Sequence, residues 1–215
     1  MIRAIWGNAH KYHGFSFEEK LDTRVGGTAN IDGFSHSRKE YIYVEAKRRE
    51  IYGGSHKNQD ISVVYLPVYD KIQEKCSEFF SYTKNDSKNN NSKKVTFYFD
   101  NKPVDFFDLK QLICHFLGIT YDIAKHPLQD IKVKFLYLIY NPYQVEGFID
   151  TNFKTKVLKR YDKVKDFITH NQNSDCFRKI FNAVLDYHTE TYKLIKPQIS
   201  FEMILVDQET YKDCL

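Results

Sequence analysis

The chain has 215 residues, and its hydrophobic content of 42% is sufficient for one globular domain with a sizeable core. Its 32 basic and 28 acidic residues give a net charge of +4, which by itself does not identify a nucleic-acid-binding protein. No apolar run approaches the roughly 18 residues of a membrane-spanning helix, and no secretion signal is recognised. We therefore expect a cytoplasmic protein that does not contact a membrane. Four scattered cysteines without a CxxC pair argue against a zinc ribbon.

The N-terminal part of the chain contains a helix start signal. Ser16, followed three residues later by Glu19, has the form of a capping box, in which the two residues satisfy N–H groups of the first turn. This pattern predicts a short first helix over about residues 17 to 23, ended by the Gly26-Gly27 turn.

Two short apolar runs, residues 29 to 34 and residues 41 to 47, predict a β-hairpin. The second run alternates, so Glu45 and Lys47 leave the same face of the strand. Pairing of the two strands brings Asp32 of the first run to that face. Two carboxylates and a lysine then lie together at one strand end. The two carboxylates provide oxygen ligands for a hard cation such as Mg²⁺. The alternative, a surface ion pair between Glu45 and Lys47, has about equal weight on spacing alone.

The rest of the chain alternates between helix and strand patterns. A polar run at about residues 84 to 94 has no apolar side chain to bury, and it predicts a mobile loop. The other predicted elements are a helix from near Leu66, a strand over 95 to 100, a helix over 105 to 124, a buried strand over 132 to 142, and helices over about 155 to 169 and 175 to 194. This order predicts an α/β fold in which residues 1–215 form a single domain.

Clusters of basic residues are the candidates for contacts with a phosphate backbone. The densest cluster lies on the predicted helix over 155 to 169 and includes Lys156, Lys159, Arg160 and Lys163. A second group follows the second strand of the hairpin and comprises Arg48, Arg49 and Lys57. In both places a solvated charged surface fits the pattern about as well as a DNA-binding surface does.

One histidine lies on the predicted helix over 105 to 124 together with a glutamine. Gln111 and His115 share a helix face because they are four residues apart. A core histidine with satisfied hydrogen bonds is the favoured interpretation of His115.

Asp32, a gap of twelve residues and then Glu45-Ala46-Lys47 together resemble the core signature of the PD-(D/E)xK nuclease superfamily. Within that superfamily the chain more closely resembles a bacterial family of restriction-endonuclease-like proteins. The further matching positions are Glu50, Tyr52-Gly53, Tyr65, Tyr69, Gln111, Leu112, His115 and the strand over 134 to 142. The resemblance implies a restriction-endonuclease-like core, with a mixed central β-sheet flanked by helices.

The resemblance also implies roles for individual residues. Asp32, Glu45 and the Ala46 carbonyl would hold Mg²⁺, with Mn²⁺ as a substitute. Lys47 would orient the attacking water or stabilise charge that develops on the phosphate. Similar enzymes often carry a metal-linked glutamate on their first helix, and Glu18 is the candidate here.

Together these features predict a Mg²⁺-dependent endodeoxyribonuclease that hydrolyses DNA phosphodiesters. A role in restriction or phage defence, and a homodimer, are suggested by the resemblance alone. Two alternatives stay open. One is an inactive protein of this fold that binds nucleic acid or a partner protein, and the other is a nuclease that acts on RNA.

Overall fold

A computed structural model of the chain describes residues 14–47, 56, 59–88, 90–125, 130–144 and 151–206. Within these ranges the strands are β1 Gly14–Asp22, β2 Thr28–His36, β3 Glu40–Lys47, β4 Gln59–Ser62, β5 Phe80–Asp86, β6 Ser92–Phe99, β7 Lys102–Pro103, β8 Ile131–Ile139 and β9 Ile199–Val206. The α-helices are α1 Leu66–Lys75, α2 Leu109–Lys125, α3 Thr151–Asn173 and α4 Cys176–Tyr192. Single 3₁₀ turns cover Val63–Tyr65 and Pro142–Gln144.

The central sheet has five strands in the order β1-β2-β3-β8-β9. Strand β2 is antiparallel to both β1 and β3, whereas β8 runs parallel to both β3 and β9. A smaller sheet has the order β4-β6-β5, with β7 paired to β6. The predicted hairpin of β2 and β3 and the predicted mixed α/β architecture with flanking helices are therefore confirmed. Among the described residues, no helix combines the length and apolar character needed to cross a lipid bilayer.

Aromatic side chains fill the core between the central sheet and the helices. Phe116 of α2 packs against Phe135, Phe181 and Phe201, at ring-centroid distances of 5.8, 5.4 and 5.2 Å. The near-perpendicular rings place edges against faces, which is the favoured arrangement for aromatic pairs. The core therefore fixes α2 against strands β8 and β9 and against helix α4.

Helix α2 approaches β1 and β2 closely at Gly118. A Cβ added to Gly118 would lie 2.7 Å from the Cβ of Ala29 and 2.8 Å from the Cβ of Leu21. A residue without a side chain is therefore required at this crossing. Gln111 and His115 lie on the two turns of α2 before Gly118. The crossing therefore sets their position relative to strand β3.

The predicted first helix over residues 17 to 23 is wrong, because these residues belong to strand β1. Ser16 does donate a hydrogen bond to Glu19, at 2.9 Å, but it does so within the strand. Residues Glu19 and Leu21 pair with Ile31 and Ala29 of β2. Pairing with β2 therefore outweighs the local capping signal.

The polar segment at 84 to 94 is also shorter than predicted, because β5 extends to Asp86 and β6 begins at Ser92. Lys93 and Asp86 lie opposite each other in this hairpin and form an ion pair at 2.6 Å. Oppositely charged residues that face each other across strands stabilise a hairpin without apolar burial. A polar composition alone therefore does not exclude strand structure here.

Candidate functional site

The candidate site lies where strands β2 and β3 separate. The two strands pair from His36–Tyr41 through Gly33–Val44, and the next facing positions are Asp32 and Glu45. Instead of continuing the ladder, the Asp32 carboxylate accepts a hydrogen bond from the Ala46 N–H at 2.7 Å. A side-chain oxygen thus replaces the main-chain acceptor, and it holds Asp32 beside Glu45.

Glu45 and Lys47 point from β3 into the main body of the molecule. Glu45 is 2% exposed and Lys47 is 8% exposed, and the Lys47 ammonium contacts the Glu45 carboxylate directly. The alternative of a surface ion pair is therefore wrong. Burying two charges costs desolvation free energy, so a buried pair of this kind is weak support for a purely stabilising role.

Helix α2 supplies two further contacts to Glu45. Gln111 Nε2 donates a hydrogen bond to Glu45 Oε1 at 3.3 Å, and His115 Nε2 lies 3.3 Å from Glu45 Oε2. The His115 contact is a close approach without a hydrogen bond, and Glu45 Oε2 is buried without a hydrogen-bond partner among the described residues. Gln111 and His115, which share a helix face, therefore both contact the Glu45 carboxylate.

The two carboxylates have opposite electrostatic environments. Burial raises the pKa of Asp32, the Ala46 N–H lowers it and the charge of Glu45 raises it, so that the pKa lies above its ordinary value. Burial also raises the pKa of Glu45, but His115 and Lys47 outweigh this effect and hold that pKa below its ordinary value. Glu45 is therefore ionised at neutral pH although it is almost completely buried.

The donor set fits Mg²⁺ in its chemistry. Mg²⁺ binds one or two protein carboxylates and fills its other positions with water and phosphate oxygens. Asp32 and Glu45 supply two carboxylates, and the buried Glu45 Oε2 has no hydrogen-bond partner among the described residues. In the described part of the chain, no cluster of three or more His, Cys, Asp or Glu side chains is arranged to bind a metal. Any cation at this site therefore depends on two carboxylates, a main-chain carbonyl such as that of Ala46, and substrate oxygens.

Glu18 lies on β1 rather than on a helix. In the register of β1 and β2 it falls opposite Asp32, between the pairs Phe17–Gly33 and Glu19–Ile31. Its φ angle of 52° is unusual for a residue within a strand, and its side chain is exposed. The side-chain charges that shift the pKa of Asp32 belong to other residues, namely Glu45, Lys47 and His115. The fold thus brings the backbone of Glu18 next to Asp32, while the Glu18 side chain is exposed.

A small cavity opens beside Lys47, with a volume of about 30 Å³, which is sufficient to hold a water molecule. Its lining residues are Lys47, His56, Phe106, Phe107, Asp108, Gln111 and Tyr137. His56 Nδ1 lies 3.7 Å from Asp108 Oδ2. Sequence analysis missed His56, Asp108 and Tyr137, because their contacts join segments far apart in the chain and no local pattern marks them.

Arg160 of the predicted basic surface lies near this cavity. Burial lowers the pKa of His56, Asp108 raises it, and the positive charges of Arg160 and Lys47 lower it again, leaving it below its ordinary value. Arg160 is thus within electrostatic range of the cavity. The other three members of the basic surface, Lys156, Lys159 and Lys163, are exposed on α3. Arg48, Arg49 and Lys57 lie outside the described residues.

Comparison with known proteins leaves the site to be interpreted from its geometry. Neither the protein-family models, nor the curated proteins, nor the solved structures gave a significant match. The resemblance to PD-(D/E)xK nucleases and the restriction-endonuclease-like core therefore stay predictions.

Proposed function

We propose that the protein is a Mg²⁺-dependent nuclease that hydrolyses DNA phosphodiesters, with a restriction-endonuclease-like core. The observation that supports this proposal best is the arrangement at the end of β3. Asp32 faces Glu45 across two strands, and Glu45 is buried, ionised and in contact with Lys47. The site also lies at the carboxyl ends of the parallel strands β3 and β8, where α/β folds commonly bind ligands.

The residues at the site have separate tasks in this proposal. Asp32, Glu45 and the Ala46 carbonyl would hold the cation, and Gln111 and His115 fix the orientation of the Glu45 carboxylate. When bound, Mg²⁺ supplies a Lewis acid for a phosphate oxygen and lowers the pKa of a water molecule.

Lys47 is the residue that acts on the substrate in this proposal. Its ammonium is a compact donor with three N–H bonds, and it is buried at the site. It orients the attacking water or donates to the phosphate oxygen on which negative charge develops. To do either, the ammonium has to share or release its contact with Glu45 when the cation and the phosphate bind.

One observation favours a second candidate function, which is binding of nucleic acid without cleavage. The Lys47 ammonium directly contacts the carboxylate that the cation needs, and the described residues contain no three-residue metal cluster. A protein in which Lys47 stays bound to Glu45 would retain a basic surface for nucleic acid but would not cleave it.

The experiment that separates the two functions compares purified wild-type protein with the Lys47→Ala and Lys134→Ala variants. Plasmid DNA, phage DNA and RNA are each incubated with Mg²⁺ or with EDTA. We expect DNA cleavage that requires Mg²⁺ and is lost in Lys47→Ala but not in Lys134→Ala. Discrete products indicate sequence-specific cleavage, whereas a smear indicates non-specific cleavage. Salt-sensitive DNA binding without any cleavage supports the second candidate, and cleavage of RNA alone contradicts the assignment to DNA.

A further inference from the structure

Exposed aromatic side chains follow β8 in the sequence, where that strand ends beside the candidate site. Large hydrophobic residues that are exposed in the described part of the chain are Phe17, Val64, Tyr140, Tyr143, Phe153 and Ile195. Three of the six follow the carboxyl end of β8 within fourteen residues of sequence: Tyr140, Tyr143 and Phe153, with exposures of 40%, 55% and 54%. Such a concentration of exposed apolar surface marks an interaction site more often than single exposed residues do.

Main-chain and side-chain contacts connect this aromatic surface to the site. The Tyr140 N–H donates to the Lys47 carbonyl oxygen at 3.1 Å, so the first aromatic residue lies beside the last residue of β3. Tyr143 packs edge-to-face against Tyr161 at a centroid distance of 6.0 Å. Its hydroxyl donates to Asp162 at 2.8 Å. The Tyr143 ring is therefore held in place although more than half of it is exposed.

Phe153 begins a stripe along α3 that also contains basic residues. Phe153, Lys156, Arg160 and Lys163 are spaced by three, four and three residues, which places them on one helix face. The far end of the stripe reaches the cavity, because Lys163 Nζ lies 5.7 Å from the centre of the Phe106 ring. Aromatic and basic side chains thus lie along the same face of α3.

This combination is suited to an unpaired strand. Proteins that bind single-stranded nucleic acid use a basic groove for the backbone and aromatic rings on which exposed bases stack. A duplex keeps its bases stacked on one another, so contacts with it are dominated by phosphates and groove edges. Exposed rings beside the cleavage site therefore have a use in binding a single strand that they lack in binding an intact duplex.

We propose that Tyr140, Tyr143 and Phe153 form a stacking surface for unpaired bases, and that the substrate is single-stranded or locally unpaired nucleic acid. This inference rests on the proposed function for the role of the neighbouring site. In this proposal the basic side chains of α3 contact the nucleic-acid backbone, which passes Arg160 and reaches Lys47. The three aromatic rings stack on the bases.

The test is equilibrium binding, measured by fluorescence anisotropy in EDTA with a labelled single-stranded oligonucleotide and the matching duplex. Tyr143→Leu and Phe153→Leu remove the ring but keep an apolar side chain, whereas Tyr143→Phe and Phe153→Tyr keep the ring. We expect each Leu variant to bind the single strand at least about five-fold more weakly than wild type. The ring-keeping variants should bind as wild type does. Ile195→Ala is the matched control, because Ile195 is 73% exposed and precedes β9 at the other end of the sheet.

The outcomes separate this inference from the nuclease proposal. Ring-dependent binding of the single strand by a protein that never cuts would support the stacking surface and overturn the nuclease. Lys47-dependent cutting of duplex DNA, unaffected in both Leu variants, would support the nuclease and overturn the stacking surface.

Equal losses in the Leu and ring-keeping variants, or concentration-dependent self-association through these residues, would also overturn the stacking surface. If Tyr143→Leu lowers the unfolding temperature, the Phe153 pair of variants decides the outcome. Parallel titrations with single-stranded RNA of the same sequence establish which sugar is preferred, since stacking alone does not distinguish them.

Discussion

Strand β3 has a buried glutamate paired with a lysine at each end, but the two pairs differ in their surroundings. At the amino end, Glu40 is 7% exposed and its carboxylate lies 2.9 Å from Lys134 Nζ on the neighbouring strand β8. At the carboxyl end, Glu45 is similarly buried and contacts Lys47 of its own strand. The carboxyl end also brings in a second carboxylate, Asp32, together with Gln111 and His115 from α2.

The comparison shows why an ion pair alone does not indicate function. The Glu40–Lys134 pair is a cross-strand contact between opposite charges, and such a contact contributes to strand pairing. Asp32 adds a like charge beside Glu45. Burial and the charge of Glu45 both raise the pKa of Asp32 in the folded protein. A fold keeps such a repulsive arrangement where it serves a ligand of opposite charge. The two ends of β3 therefore provide matched variants for testing the site.

The largest expected effect is on cleavage. Asp32→Ala, Glu45→Ala and Lys47→Ala should each lower the Mg²⁺-dependent cleavage rate by at least about 100-fold, because they remove a proposed metal ligand or the proposed donor to the phosphate. Glu40→Ala and Lys134→Ala should leave the rate close to that of wild type. Single-turnover rates of the five variants measure this difference. Lys47→Met, which keeps the side-chain volume, controls for loss of packing.

Wild-type activity in all three variants of the carboxyl end would contradict the assignment. Equal losses at the two ends of β3 would show that the variants act through the stability of the sheet.

The second prediction concerns His188, a buried histidine outside the candidate site. His188 is completely buried, its Nδ1 lies 2.9 Å from the Thr120 hydroxyl, and its Nε2 lies 3.2 Å from the Thr23 carbonyl oxygen. A neutral imidazole satisfies both contacts if Nε2 donates to Thr23 and Nδ1 accepts from the Thr120 hydroxyl, whose proton then points to His188 and not to the Phe116 carbonyl oxygen 2.7 Å away. Burial lowers the pKa of His188 from its ordinary 6.5 to about 4.

The sign of the pH dependence follows from this lowered pKa. Between pH 6.5 and about 4 the unfolded chain protonates His188 and the folded protein does not, so folding stability falls as the pH falls. The loss is on the order of 3 kcal/mol at the acid end. Urea unfolding of wild type and His188→Gln across this range measures it, and a variant with an unchanged pH slope would contradict the prediction.

The third prediction concerns the crossing that holds α2 above the carboxyl end of β3. Gly118→Ala should destabilise the fold by about 1–3 kcal/mol, because its Cβ overlaps the Cβ atoms of Ala29 and Leu21. Urea unfolding measures this loss. The displaced helix should also lower cleavage through Gln111 and His115. Unchanged stability would show that α2 moves away without cost.

The smallest expected effect is that of Gln111→Leu. Gln111 donates to Glu45 without being a proposed metal ligand, and loss of such an outer contact lowers activity or metal affinity by about 10-fold or somewhat more. The Mg²⁺ concentration for half-maximal cleavage should rise, while cleavage at saturating Mg²⁺ falls less. A variant that loses activity equally at all Mg²⁺ concentrations would exclude this positioning role.

Periodicity in the sequence predicts the elements that bury one face or both. The β2–β3 hairpin, the start of α1 at Leu66 and the helices α2, α3 and α4 all follow from it, as does the apolar strand β8. The strands β1, β4, β5, β7 and β9 were not predicted. Glu19 and Lys20 of β1 and Lys84 to Asp86 of β5 are polar, and such strands are defined by their partners rather than by their own composition.

The site was partly predictable for a related reason. Asp32, Glu45 and Lys47 lie on one hairpin, so their proximity follows from strand pairing and alternation alone. Gln111 and His115 share a helix face in the sequence, but no local signal indicates that this face lies over Glu45. His56 and Asp108 approach Lys47 through tertiary contacts only.

The central claim is that the carboxyl end of β3, and not its amino end, binds a divalent cation. Isothermal titration calorimetry with Mn²⁺ and with Mg²⁺ tests it most directly, on wild type, Glu45→Gln and Glu40→Gln. We expect wild type and Glu40→Gln to bind with equal affinity and Glu45→Gln to bind at least about ten-fold more weakly. Equal binding by all three proteins, or none by wild type at millimolar cation with and without DNA, would contradict the account.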